Sequence, residues 1–571
     1  MFYKLLAGGL LLFLGVGMGQ VGVAQGGLRQ SEDSIFLRRL ADEVLVNGKA
    51  YENLRVLTKT VGGRLSGSPQ YYRAEAWGQK ALQEAGAEKV WLQECAVPHW
   101  IRGGKDSASW VATGGSAGSG STGSSGSAKS GSGSGSTGSG GSGSGSTVDG
   151  GSTGVSGVAT GRSTGGGSGR RRIGLDILAL GNSLGTGPKG IEAPVILIHS
   201  FEELEQRKNE IKGNIVFYNY TFNPRFVETF RSYSDAVRYR VFGASQAAKY
   251  GAVGVLVRSM SHSVDNNPHT GAMFYNDSFP KIPAAAIGLW DADKLAAALE
   301  QKDGGQASDG GKAPDGGQAS GGGQASNGGQ ASDGRSASGS GRASGGDAKK
   351  GRGVIKVYLR TQGQMLPDTV GHNVIGEIRG SEFPNEFITV GGHLDSWDPA
   401  EGAQDDGAGC VHSIEVLRAL KASGYKPRHS IRVVLFANEE NGGRGGEKYA
   451  DEAKEKGEKH LFALESDAGG FTPRAFSISL SEEKLAAIRP WLSLLQPYGV
   501  YSFDKGGGGA DVNPLEPKLG AVVGELRPDS QRYFDYHHSR GDVLAIVNKR
   551  ELELGALNMA ALVYLVDKYG F

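Results

Sequence analysis

The sequence predicts an α/β protein: a largely parallel sheet covered by helices, joined to a second, smaller α/β or β-rich domain. Three observations carry this. A chain of 571 residues is too long for one ordinary hydrophobic core. Beyond residue 353, apolar runs alternate with helical stretches, the pattern of parallel strands buried on both faces. Acidic residues and histidines stand where those apolar runs end, and open α/β sheets bind ligands outside the carboxyl ends of their strands.

The chain opens on MFYKLLAGGLLLFLGVGMGQVGVAQGG, one lysine followed by an apolar run too short and Gly-rich for a membrane span. Gly22 and Ala24 fit signal-peptidase cleavage before Gln25, so residues 1–24 are expected to be a signal peptide. No cysteine stands at the cleavage point, which argues against a lipoprotein. The product is expected to be secreted or periplasmic and, once processed, free of the membrane.

From about residue 33 the pattern becomes globular. EDSIFLRRLADEVLVNG has helical spacing of apolar residues, and AEAWGQKALQEAGAEKVWLQECAVP reads as helix, glycine turn and strand. Residues 113–172 are almost wholly Gly, Ser and Thr over most of their length. Such a tract cannot bury enough apolar area to offset its ordering entropy and is expected to be disordered. A second tract, 303–353, repeats imperfect hexamers such as DGGQAS and NGGQAS without any large apolar residue to point inward; it reads as a swollen surface loop rather than a solenoid. Between the tracts, APVILIHS, GNIVFYNY and GAVGVLVRS are β-rich, and FGASQAAKYGA is a helix feeding the last of them.

Composition excludes some functions. Lys and Arg together number 61 against 60 for Asp and Glu, a balance with no electrostatic footprint for nucleic acid. The two cysteines, Cys95 and Cys410, are far apart and supply no disulfide framework.

The chemistry lies in the C-terminal third. NEFITVGGHLD ends in His393 and Asp395, HSIRVVLFANEE in Glu439 and Glu440, and KHLFALESDAGG reaches Asp467. A later segment, FDYHHSRGD, carries His537, His538 and Asp542, and Asp405 with Asp406 stands in GAQDDGAG. Carboxylates crowded on one sheet edge repel one another, so positive charge is expected among them. Imidazole with carboxylate and no thiolate suits zinc, with manganese or cobalt as other occupants. A pair of metals needs a bridging carboxylate, and Asp405, at the start of the following helix, is placed to be one.

The segments GGHLDSWD, GAQDDGAG, ANEENGG, ESDAGG and YHHSRGD resemble the co-catalytic dizinc exopeptidases of the M28 family. The likeness extends through RLSGSP, PHWIRGG, GTGPKGIEAPV, NPHTGAMFY and PKIPAAAI, nearly the whole mature chain outside the two low-complexity tracts. The resemblance implies a three-layer sandwich on a central mixed, largely parallel sheet, the phosphorylase/hydrolase-like zinc peptidase fold. In it, residues 25–112 and 361–571 form the catalytic domain, and 173–360 an inserted β-rich domain of the protease-associated (PA) kind.

It further implies two zinc ions per chain, held by His393, Asp405, Glu440, Asp467 and His538. Asp405 would bridge, with His393 and Asp467 completing one site and Glu440 and His538 the other. Glu439 matches the general base, Asp395 the acid that orients His393, and His537 an oxyanion stabiliser; Asp406 follows Asp405 across a peptide bond often cis in the family. The implied activity is hydrolysis of short peptides, dipeptides among them, as a carboxypeptidase or dipeptidase through hydroxide bridging the metals. A general aminopeptidase is the alternative, and a non-catalytic binding protein on a peptidase scaffold a more distant one. The implied partners are a small peptide substrate and a second copy in a homodimer. Asp542 either supports His538 or caps a helix, and Asp511 either approaches substrate or forms a turn. His99 and His269 have no derivable role, and His372 and His412 read as structural or solvated.

Overall fold

The first of the described residues show how local chemistry sets the elements. Ser31 caps helix Glu32–Asn47 by accepting a hydrogen bond from the Ser34 amide. Helix Pro69–Ala85 has Ser68 as its cap and proline at its first position, and it ends at Gly86, whose φ of 94° is the left-handed stop glycine favours. The computed structural model describes residues 31–111, 172–303 and 354–571; the expected signal peptide and nearly all of both low-complexity tracts lie outside them.

In chain order the strands are β1 (Lys89–Ile101), β2 (Ser107–Val111), β3 (Arg172–Leu175), β4 (Ile177–Ala179), β5 (Ile191–Ile198), β6 (Ile215–Tyr218), β7 (Gly254–Arg258), β8 (Ala284–Ile287) and β9 (Lys356–Arg360). Then follow β10 (Gln364–Ile378), β11 (Phe383–His393), β12 (His429–Phe436), β13 (Lys459–Glu465), β14 (Pro473–Ile478), β15 (Ser502–Lys505) and β16 (Val522–Pro528). They form two eight-stranded sheets. The first runs β1-β10-β12-β11-β13-β16-β14-β15, and the second β3-β2-β9-β5-β6-β7-β8-β4. The second sheet is thus built wholly from chain lying between β1 and β10. Strand β2 belongs to it, pairing with β3 and β9, although the sequence reading left residues 107–111 with the N-terminal catalytic segment.

Strands β12, β11, β13 and β16 at the centre of the first sheet are mutually parallel. Every residue of β12 is buried, as expected of a strand covered on both faces. Helices Ala408–Ala422 and Lys549–Tyr569 pack on one face through Ile414, Leu417, Leu557 and Leu565; Tyr449 and Leu515 close the other. This is the three-layer sandwich expected.

The antiparallel flank was not legible in the sequence. Strand β10 pairs with β1 along a twelve-residue register, interrupted between Val97 and His99. Its QMLPDTV half is mostly exposed and carries Pro367 and Asp368, so it lacks the apolar run of a buried strand.

The second sheet is covered on one face by helix Leu289–Asp303, through Leu295 and Leu299, and on the other by helix Thr229–Ala248, through Tyr239 and Ala244. Two apolar contacts tie the sheets together: Phe222 and Ala236 meet Phe471 and Phe534, and Ala272 meets Trp100 and Trp397. These seat helix Thr229–Ala248 against the carboxyl ends of the parallel strands.

Candidate metal centre

Each parallel strand delivers its chemistry at its carboxyl end. Strand β11 ends on His393, β12 is followed by Glu439 and Glu440, and β13 by Asp467; the loop after β16 leads through the short helix Tyr533–Tyr536 to His537 and His538. Asn438 and His538 both adopt left-handed backbone conformations, φ 63° and 59°. Non-glycine residues there are held by their surroundings and cluster at functional sites.

Asp405 stands at the centre. Its Oδ1 lies 3.2 Å from His393 Nε2, and its Oδ2 lies 3.1 Å from His538 Nε2 and 3.6 Å from His537 Nε2. On the His393 side, Asp467 Oδ1 is 3.4 Å from His393 Nε2 and Glu439 Oε2 is 4.0 Å away. On the other side, Glu440 Oε2 is 3.0 Å from His538 Nε2. Two sets of possible ligand atoms therefore share one carboxylate: His393 with Asp467, and His538 with Glu440. Asp406 is joined to Asp405 by a cis peptide bond and turns inward, accepting from the His393 and Gly409 amides at 3.0 and 2.8 Å.

The surroundings set the His393 tautomer. His393 Nδ1 faces the Asp395 backbone carbonyl at 3.0 Å, whereas the Asp395 carboxylate is 3.8 Å away and accepts instead from the Glu439 amide at 3.1 Å. The carbonyl accepts only from a protonated Nδ1, which leaves the Nε2 lone pair free for a cation. His538 Nδ1 lies 3.3 Å from both the Thr270 carbonyl and Arg240 Nη1, both of the inserted unit. The Trp397 amide donates to Glu440 Oε1 at 3.1 Å.

The electrostatics are unbalanced. Burial alone would lower the His393 imidazole, but Asp467 and Asp405 facing it hold it well above its ordinary value. Burial would raise Asp405, yet its contacts with His393 and His538 pull it well below the carboxylate range. Burial and the Asp405 charge push Glu440 well up, and burial lifts Asp467. Burial lifts Glu439 to about 8; His393 opposes this, and the charges of Asp467 and Asp405 add to it. His393 Nε2 and Asp405 Oδ2 are buried without a hydrogen-bond partner, which buried polar atoms rarely are unless something else binds them. His393, Asp405 and Glu440 offer atoms mutually close enough to hold one ion, as do Asp405, His537 and His538, and also His393, Asp406 and Asp467. The donor set fits divalent cations of the zinc type.

Other residues take roles the sequence did not reveal. Asp542 does not meet His538; its carboxylate accepts from the backbone amides of Ala403, Gln404 and Asp405, at 3.1, 2.7 and 3.2 Å, and so holds the start of the helical turn Ala403–Gly407. Asp511 is buried with neither carboxylate oxygen paired, and its amide donates to Glu465. His269 is buried with both ring nitrogens unpaired. His372 meets Glu75 and His412 meets Ser466, structural positions as expected. Cys95 and Cys410 are free and buried.

A cavity of about 280 Å³ opens over Glu439, Asp467 and His537, and part of its wall, including Phe230, Tyr233 and Arg240, comes from the inserted unit. Tyr233 and Phe230 close an aromatic box with Phe534 and Tyr533, and Tyr233 stacks on Phe534 at 4.8 Å. Arg240 is the cation in that wall. Nothing in the local sequence of helix Thr229–Ala248 announces this, because its partners lie some three hundred residues downstream.

Residues 373–563, which include every one of these strand-end residues, match the profile of peptidase family M28. Carboxypeptidase Q of Xenopus laevis is 31% identical over 528 residues, 92% of this chain and 88% of that protein. Human carboxypeptidase Q is 30% identical over 518 residues, 91% of this chain and 85% of that protein. The crystal structure of a peptidase M28 precursor from Shewanella amazonensis superposes with a TM-score of 0.71 at 26% identity, covering 94% of this chain and 96% of that one. With two mixed sheets, an acid and imidazole rim at the parallel strand ends and this extent of similarity, the chain belongs to peptidase family M28 and is a metallopeptidase.

Proposed function

We propose that the protein is an exported, zinc-dependent exopeptidase that hydrolyses short peptides, dipeptides among them, at the bond next to the carboxyl terminus. The observation that carries the reading is Asp405, whose two carboxylate oxygens face His393 and His538 separately. That arrangement suits a carboxylate shared by two cations, with His393 and Asp467 on one and Glu440 and His538 on the other. Two zinc ions, when bound, would supply Lewis-acid chemistry that acidifies water and polarises a peptide carbonyl.

The chain's own groups do the rest. Glu439, which borders the cavity and whose amide is held by Asp395, takes a proton from the attacking water and passes it to the departing amine. His537 also lines the cavity, where its Nε2 can donate to the oxyanion. Asp395 positions the pair, holding the Glu439 amide with its carboxylate and His393 Nδ1 with its carbonyl. The aromatic walls exclude water from the reacting carbonyl.

The same proposal takes the second sheet as a protease-associated insertion and residues 1–24 as a cleaved signal. Its support is the position of that sheet between β1 and β10 and the composition of the leader. Among the described residues no helix is long and apolar enough to cross a membrane. A homodimer is the assembly proposed.

Elemental analysis of purified protein loaded with excess zinc is expected to give two ions per chain. Activity is expected on free dipeptides and on amino-blocked ones, and to be at least an order of magnitude weaker on carboxyl-blocked ones. Turnover of carboxyl-blocked peptides alone would instead establish an aminopeptidase. Folded protein that takes up no zinc would overturn the reading.

A further inference from the structure

Arg240 is 6% exposed, yet among the described residues it pairs with no carboxylate. Its Nη2 donates to the Tyr233 hydroxyl at 2.6 Å, and its Nη1 lies 3.4 Å from the Thr270 carbonyl and 3.3 Å from His538 Nδ1. Its Nε has no partner. A buried guanidinium without a counter-ion is costly and is retained where something anionic meets it. The nearby carboxylates would not serve: once they hold divalent cations their charge is spent.

The cavity that Arg240 lines is the one that contains Glu439 and Asp467, so a group bound to it lies beside the reacting bond. Every peptide, whatever its sequence, carries one anion at a fixed place: its terminal carboxylate. A planar guanidinium matches that group in shape and charge. A single residue spans about 3.3–3.6 Å, so an anchor inside the cavity restricts cleavage to the last bond. Phe230 and Phe534 beside it offer the terminal side chain an apolar wall.

We propose that Arg240, held by the Tyr233 hydroxyl and the Thr270 carbonyl, binds the free carboxylate of the substrate and so makes the enzyme act from the carboxyl end, with large apolar terminal residues preferred. The inference rests on the exopeptidase reading above and adds the group that selects the terminus. The catalytic face supplies the reacting groups, and the inserted unit supplies the determinant of which peptides reach them.

The test uses the zinc-loaded full chain and the pair Ala-Phe and Ala-Phe amide. The wild type is expected to prefer the free acid by about 30-fold or more in kcat/KM, mostly through KM, the value of one charge-assisted contact. Arg240→Gln is expected to bring that ratio near one, Arg240→Lys to keep part of it, and Tyr233→Phe to lower it by loosening the guanidinium. Calorimetric binding of L-phenylalanine against L-phenylalaninamide should show the same preference and the same loss, with metal content measured for each variant. The proposal is overturned if the wild type treats acid and amide alike. It is equally overturned if a metal-loaded Arg240→Gln protein keeps the preference, or if every variant loses both substrates in proportion, as a purely structural role requires. Zinc-loaded wild type that cleaves neither peptide would sink the exopeptidase reading instead, and the calorimetric arm would still decide the role of Arg240.

Discussion

Asp542 lies beneath Asp405 and takes its backbone amide at 3.2 Å, while its other oxygen holds the amides of the two preceding residues. The segment that presents Asp405 to both imidazoles is therefore held from below by one buried carboxylate. Asp542→Ala should leave the strands in place and loosen this segment. The expected loss is about 10–100-fold in zinc affinity, the usual effect of removing a group that orients a metal ligand. Chelator titration of the variant and wild type measures it, and equal zinc retention would contradict the role.

Glu439 is the one acid of the rim assigned to proton transfer rather than to a cation. Glu439→Gln is expected to lower kcat by about 10²–10⁴ while zinc content stays at the wild-type value. Loss of metal alongside activity would make Glu439 a ligand instead.

Packing around Gly409 explains the third glycine of GAQDDGAG. A Cβ there would lie 1.7 Å from the Ser466 carbonyl oxygen and 2.4 Å from Asp406 Oδ2, backbone and buried carboxylate that cannot both retreat. Gly409→Ala should cost about 2–3 kcal/mol or more in stability by overpacking. Denaturant unfolding of metal-free protein reads this directly, and a variant as stable as wild type would show that the helix start can shift.

Far from the site, Glu458 gives a pH dependence with a definite sign. Burial alone would raise it, but hydrogen bonds from His460 and from Arg432, the latter at 2.7 Å, pull it down to about 2. Its folded value lies below the unfolded carboxylate value of about 4.3. The contribution is therefore complete above that pH and is lost as pH falls from about 5 toward 2. Glu458→Gln should cost on the order of 1.5–3 kcal/mol at pH 7, and the gap to wild type should narrow to about half by pH 3 and close only below about pH 2. Unfolding curves of metal-free protein at these pH values test this; a gap independent of pH would place the cost in packing rather than charge.

Much of the catalytic half was legible before any coordinates. Val433, Val434, Leu435 and Phe436 form an unbroken apolar run because a parallel strand is covered on both faces, and the acids that follow stand out against it. The glycine turn at Gly86 and the helix before it were equally plain, because both depend on neighbours in sequence. Strand β10 was not, since its pairing with β1 joins residues nearly three hundred positions apart and half its length faces solvent. The role of Asp542 was hidden for a related reason: a carboxylate that accepts three amides looks, in sequence, like any solvated acid.

What the sequence by itself determined is the chemistry available at one sheet edge: which imidazoles and carboxylates stand at strand ends, and that so much negative charge calls for cations. Strand ends and apolar runs are local properties, and residue order suffices to reveal them. Only the tertiary structure decided how those groups face one another. It turned the two oxygens of Asp405 toward different histidines, gave the Asp395 carbonyl the setting of the His393 tautomer, and swung Arg240 from a distant helix into the cavity beside Glu439. Such relationships depend on the docking of two separate sheets, an interaction spread over Phe222, Ala272, Trp397 and Phe534 that no single segment encodes.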